Sequence, residues 1–135
     1  MKRLFTTLFV MLVVGVCYAS EPFTVYCTIK GEESATNAGY LVSGVEIDYG
    51  QENTARNYLV DETGRRFNFR SLVGALNYLA PYGWELHDSY TAYEKSLLDN
   101  PAHDRRVLVW ILKKTVTSRE EITEGFTTAE MYRNH

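Results

Sequence analysis

Glu85 and His87 stand two residues apart in the stretch Trp84–Tyr93, whose alternation predicts a β-strand. Side chains two apart on a strand share a face. A carboxylate beside His87 could therefore orient the imidazole for proton transfer. A solvated strand face produces the same pattern with no chemistry at all, because polar residues fill the side of a strand that meets water. Asp88 projects to the opposite face and cannot complete a site with His87. A second pair, His103-Asp104, lies in the polar loop between Glu94 and Arg106. A small hydrolase would draw on Glu85, His87 and His103 together, which requires the strand and the loop to converge.

Metal chemistry finds less support. A metal centre needs three or four converging ligands, and His87, His103 and His135 are scattered through the chain. Glu94, Asp99 and Asp104 share a loop but lack the ligand rhythm of a calcium-binding hand, and a charged surface loop explains them. The chain contains no Gly-rich phosphate loop, no Gly-x-Ser-x-Gly and no paired-carboxylate signature. No catalytic residue, metal site or cofactor is assigned. The surplus lies in the aromatics, ten tyrosines among 135 residues. Most belong to core or ordinary surface, since tyrosine buries its ring and keeps its hydroxyl wet. Tyr26 and Tyr93 fall on predicted polar faces. With Glu85 and His87 they form a candidate binding surface for a protein or carbohydrate partner.

The elements that would position these residues are read from periodicity. Phe23 to Lys30 alternates, with Phe23, Val25, Cys27 and Ile29 on one side and Thr24, Tyr26, Thr28 and Lys30 on the other. Cys27 is thereby expected to be a buried, inert thiol, ahead of an exposed reactive thiol or an intermolecular bridge. Gly31–Gly39 reads as a loop, and Tyr40–Tyr49 as a second strand with Gly44 at a bulge or close approach. Asn57–Val60 and Arg66–Phe69 flank a short turn in which Gly64 takes the left-handed position, so they predict a hairpin. Val107–Leu112 is apolar on both faces and predicts a strand that sits centrally in its sheet or is partly covered by a second layer, ending at Lys113-Lys114. Ser118-Arg119-Glu120-Glu121 is a capping box opening a short helix over about 119–124. The tail from Phe126 lacks a period and is expected to be loosely held.

One stretch ties these together. Leu72, Ala75, Leu76 and Leu79 have helical spacing, which predicts a helix over about 71–80 with Ser71 as its N-cap. Pro81 cannot continue it, Gly83 can close it, and Trp84 and Leu86 then enter the core at the start of a strand. Leu76-Asn77-Tyr78-Leu79, Gly83-Trp84-Glu85-Leu86 and the terminal Leu112-Lys113-Lys114 resemble the family catalogued as domain of unknown function 4177. Asp61-Glu62-Thr63-Gly64, Phe69-Arg70-Ser71, Ala75–Tyr78 and Gly83-Trp84-Glu85 resemble small exported proteins of the Bacteroides type. The likeness covers Asp61–Lys114. It implies a strand, a helix, the Gly-Trp-Glu-Leu step and two strands, together with export, and it brings no activity and no catalytic residues. An extra strand region ahead of the hairpin and a longer loop at 94–106 depart from the family pattern.

Residues 1–19 predict a secretory signal peptide. Lys2 and Arg3 precede an apolar run from Leu4 to Val16, and Cys17-Tyr18-Ala19 suits cleavage after Ala19. The run is about 13 residues, short of the roughly 20 a membrane-spanning helix needs. Lipidation at Cys17 is the rival, but Val16 stands where a small residue is usual. Loss of residues 1–19, whose only charges are Lys2 and Arg3, would leave 116 residues at a formal charge of −5. Such a chain holds one cysteine, so no internal disulfide, and its acidity argues against nucleic acid. The whole predicts one α+β domain over residues 20–135, an antiparallel sheet of about four to six strands with the main helix on one face. The function that fits is an exported, non-catalytic binding module in the periplasm, at the cell surface or beyond it. The alternatives are the hydrolase and a self-associating, homo-oligomeric structural protein.

Overall fold

The computed structural model describes residues 20–36, 39–95 and 105–135. The expected leader, with Cys17 and Ala19, and the loop residues Asp99, His103 and Asp104 lie outside them. The alternating stretches form the sheet. Strand β1 (Phe23–Thr36) pairs antiparallel with β2 (Gly39–Asp48) on one side and β6 (Arg105–Val116) on the other. The short β4 (Asn68–Phe69) pairs outside β2, and β5 (Glu85–Glu94) pairs outside β6, giving the order β4-β2-β1-β6-β5. A two-stranded sheet joins β3 (Leu59–Val60) to β7 (Thr127–Thr128). Helix α1 (Leu72–Leu79) continues as a 3-10 turn over Ala80–Tyr82, a second 3-10 turn spans Arg119–Thr123, and α2 (Ala129–Arg133) ends the chain. The architecture is the expected α+β arrangement, with the main helix against one face of an antiparallel sheet.

The apolar stripe of α1 explains that placement. Leu72, Ala75 and Leu79 are fully buried and share one core with Cys27, Ile29, Val45, Ile47 and Leu112 of the sheet. Burial of such side chains stabilises by roughly 1.5–3 kcal/mol each. Ser71 occupies the N-cap position, but its hydroxyl makes no capping bond; only its carbonyl is engaged, by the Gly74 N–H at 3.1 Å. The expected cap is thus positional only. Pro81 falls inside the 3-10 turn, and Gly83 closes it at φ 96°. Trp84 then lands in the core at 2% exposure, whereas Leu86, expected beside it, is 45% exposed. Leu86 points to the helix side of β5, an edge strand that α1 does not reach.

Two bulges set the faces of the sheet. Between Lys30↔Glu46 and Glu32↔Ser43 the β1–β2 register shifts, with Gly44 at φ 63° in the positive region that suits glycine. Both Val42 and Val45 are thereby buried. The polar stretch after Lys30, expected as a loop, is instead the outer half of the β1–β2 hairpin. Its backbone pairs with β2 as far as Thr36↔Gly39, and Arg105 and Arg106 reach Glu32 and Glu33, at 3.1 and 3.8 Å. The second bulge lies between Leu86 and Asp88 in the β5–β6 pairing and leaves His87 as the extra residue.

The hairpin is closed by Val60↔Arg66 and by the Asp61 N–H donating to the Arg65 carbonyl at 2.8 Å. The Asp61 carboxylate accepts from the Thr63 hydroxyl and from the Thr63 and Arg65 N–H groups, which hold it below the usual carboxylate range. The capping box contributes its reciprocal half, the Ser118 N–H donating to the Glu121 carboxylate at 3.2 Å. The tail expected to be loosely held is docked. Phe126 joins the core, and the Ala129 and Glu130 N–H groups donate to the Tyr58 and Arg56 carbonyls at 3.0 and 3.1 Å. Its anchors are largely backbone groups, which leave no periodicity in the side chains.

Candidate functional site

Helix α1 takes one face of the sheet, and the candidate residues lie mainly on the other. Alternation along β1 puts Tyr26, Thr28 and Lys30 there, opposite Cys27 and Ile29. Register carries the same face across to Lys113, Ile111 and Val109 of β6, and from these to Glu85, Asp88 and Tyr90 of β5.

Three of the four predicted binding residues meet on this face. The rings of Tyr26 and His87 stand 5.4 Å apart between centroids, tilted by 59°. Glu85 lies 3.3 Å from the Lys113 ammonium, and Lys113 is the register partner of both Tyr26 and Glu85. The pairing differs from the one that proton transfer would need, because Glu85 engages Lys113 and His87 packs on Tyr26. Tyr93 is not brought in. It pairs with Arg106, whose neighbours in register face α1, so Tyr93 stands on the opposite side of the sheet, 74% exposed. The bulge is the cause: one extra residue reverses the facing of everything beyond it. Tyr90 takes the place expected of Tyr93.

Next to the aromatic pair the face hollows into a polar trough of about 490 Å³, lined by Thr28, Lys30, Glu46, Asp48, Tyr58 and Arg66 among others. Lys30 bridges Glu46 at 3.3 Å and Glu94 at 3.5 Å. Burial alone would lower its pKa, but the two carboxylates outweigh burial and raise it. All three groups are about two-fifths exposed, so each pair contributes at most about 1 kcal/mol. The Arg66 guanidinium lies 3.7 Å over the Tyr58 ring, in the space that Gly44 leaves open. At the trough margin Arg56 holds φ 57°, a conformation rare for a side chain of this size, with its carbonyl tied to the Glu130 N–H. Sequence reasoning missed this trough. Its lining comes from separate segments whose register is set by the Gly44 bulge and by the docked tail. The alternation of Thr28 and Lys30 was the one signal available.

This face carries an aromatic pair, a stacked guanidinium and a ladder of mutually paired charges. Cys27 lies on the core side, and burial, with a smaller contribution from Asp48, pushes its thiol up to about 12. Among the described residues no three His, Cys, Asp or Glu side chains converge as metal ligands, and no helix is long and apolar enough to cross a membrane. No family model, curated protein or solved structure matches the chain.

Proposed function

We propose that the protein is an exported, non-catalytic binding module of the cell envelope, which engages a protein or carbohydrate partner through the sheet face turned away from α1. The observation that carries this reading is the Tyr26–His87 pair, held on an exposed face beside a polar trough by a bulge that costs the sheet a regular ladder position. Bulges recur where a strand must re-aim a side chain. Exposed aromatic side chains are enriched at recognition surfaces, which carry their polar residues at the rim. The leader pattern of residues 1–19, with the resemblance of Asp61–Lys114 to small exported proteins, is what supports the export part of this reading.

The test is retention of partners from the organism's own envelope extract by the immobilised protein, with the Tyr26→Ala and His87→Ala variants alongside. The reading expects a partner kept by the unaltered protein and lost by both variants. A partner kept equally by all three proteins would overturn the assignment of this face.

A further inference from the structure

Strand β5 closes one side of the main sheet, and among the described residues nothing pairs with its outer edge. The opposite side ends in the two-residue β4, too short to template another strand. Natural sheets protect a long edge with charged side chains, lysine above all, or with proline, bulges or a covering element. Over its ten residues β5 has neither lysine nor proline, and its one bulge lies near the start, so the register runs regularly from Asp88 to Glu94. This strand also carries three exposed large side chains, Leu86, Tyr90 and Tyr93.

We infer that the outer edge of β5 takes an extended segment of a partner protein, basic and apolar residues alternating, as a sixth strand of the main sheet. The inference rests on the reading of the protein as a binding module, but it uses the edge rather than the face. Charge selects the occupant. Glu85, Asp88 and Glu94 all project to the side away from α1; the strand has no Lys or Arg, and its one imidazole, His87, is packed on Tyr26. Glu85 and Glu94 reach inward to Lys113 and Lys30, whereas Asp88, among the described residues, accepts only the N–H of its neighbour Ser89, at 2.7 Å. A second copy would bring three more carboxylates to the same edge, and like charges across strands repel. A segment with Lys or Arg on that side complements them. Its alternate apolar residues would fall on the other side, against Leu86 and Tyr93, which α1 leaves uncovered. Backbone pairing supplies affinity and alternate side chains supply selectivity, as in other strand-addition complexes.

The experiment is an NMR titration of the ¹⁵N-labelled protein with a short peptide of alternating lysine and valine, and with its glutamate–valine counterpart. The expected result is shifted, slowly exchanging amides concentrated in residues 85–94 with the lysine peptide only. Asp88→Lys should weaken that binding about tenfold or more without changing the melting temperature. Equal response to both peptides, or no response within β5, would overturn the inference. So would a dimer in sedimentation whose β5 amides are protected without peptide, because the occupant would then be a second copy. Peptide binding that survives Tyr26→Ala and His87→Ala, while the envelope partner is kept by both, would refute the face and leave the edge standing. Loss of the edge response with face-dependent capture intact would do the reverse.

Discussion

The imidazole of His87 packs against the ring of Tyr26, with 5.4 Å between centroids, although the two residues belong to strands that are not neighbours in the sheet. Strand β6 runs between them, and its residue at that level is Lys113. The contact crosses this strand because His87 is the extra residue of the bulge and leans out of the regular pleat. The Lys113 side chain turns aside to Glu85. A regular strand would have projected His87 in alternation with Leu86, on the same side as Glu85 but one ladder position further along.

The contact is therefore expected to matter for recognition and little for stability. Tyr26 is 53% exposed, and truncation of exposed side chains commonly changes stability by no more than about 0.5 kcal/mol. Tyr26→Ala and His87→Ala should each unfold at nearly the denaturant midpoint of the unaltered protein while losing the envelope partner. A drop of 2 kcal/mol or so in either variant would instead make the pair a structural clamp.

The same bulge marks where reading the residues in order succeeds and where it stops. The helix, its Pro81-Gly83 stop, the hairpin turn and the buried side of β1 follow from local periodicity and turn chemistry, and the structure has them. Facing along β5 is different. Its period is two, so a single inserted residue moves Tyr93 to the helix side and brings Tyr90 to the other. No residue type between Leu86 and Asp88 announces an insertion, in contrast to Gly44, whose lack of a side chain does suggest one. The polar run after Lys30 has the composition of a loop because its own side chains do not alternate apolar with polar; backbone pairing with β2, whose Val42 supplies the buried side chain there, makes it a strand. The docked tail was hidden because Tyr58 and Arg56 hold it through their carbonyls.

Gly31 makes a sharper test of the sheet than any buried side chain. It is buried opposite the Gly44 bulge, and a Cβ built on it would overlap Val42 Cγ1. Gly31→Ala should cost about 1–3 kcal/mol through overpacking. Val42→Ala vacates the same space, so the double variant should be more stable than the two separate losses predict, by about 1 kcal/mol. Urea unfolding of the four proteins measures this coupling. Strict additivity would mean that the two positions do not meet.

Trp84 is expected to behave as a core residue despite its place next to the candidate face. It is 2% exposed, and its indole N–H is buried without a hydrogen-bond partner among the described residues. Trp84→Ala should cost about 3–5 kcal/mol, chiefly from the cavity. Trp84→Phe removes the unpartnered N–H along with part of the volume. An unsatisfied buried donor costs about 1–3 kcal/mol, so phenylalanine should restore more than half of the alanine loss. A Trp84→Ala protein of full stability that fails only to bind would place this side chain at the contact surface instead.

Alkaline pH should weaken the fold through Cys27. Its folded pKa of about 12 lies above the ordinary 9.0, because burial, and then the Asp48 carboxylate, disfavour the thiolate. Between these two values the unfolded chain has released the thiol proton and the folded chain keeps it. The unfolded state then binds fewer protons, so stability falls as pH rises through this window and is insensitive to the thiol below it. Tyr49 and Tyr78, also raised by burial, add to the fall with the same sign. Cys27→Ala loses some packing at every pH, so the informative quantity is the slope of stability against pH between about 9 and 11, which should be shallower in the variant. Thiol labelling at about pH 8 should likewise proceed only as fast as the protein opens. Rapid labelling of the native protein, or parallel slopes for the two proteins, would show that Cys27 is reached by solvent and that its strand is not the interior element described above.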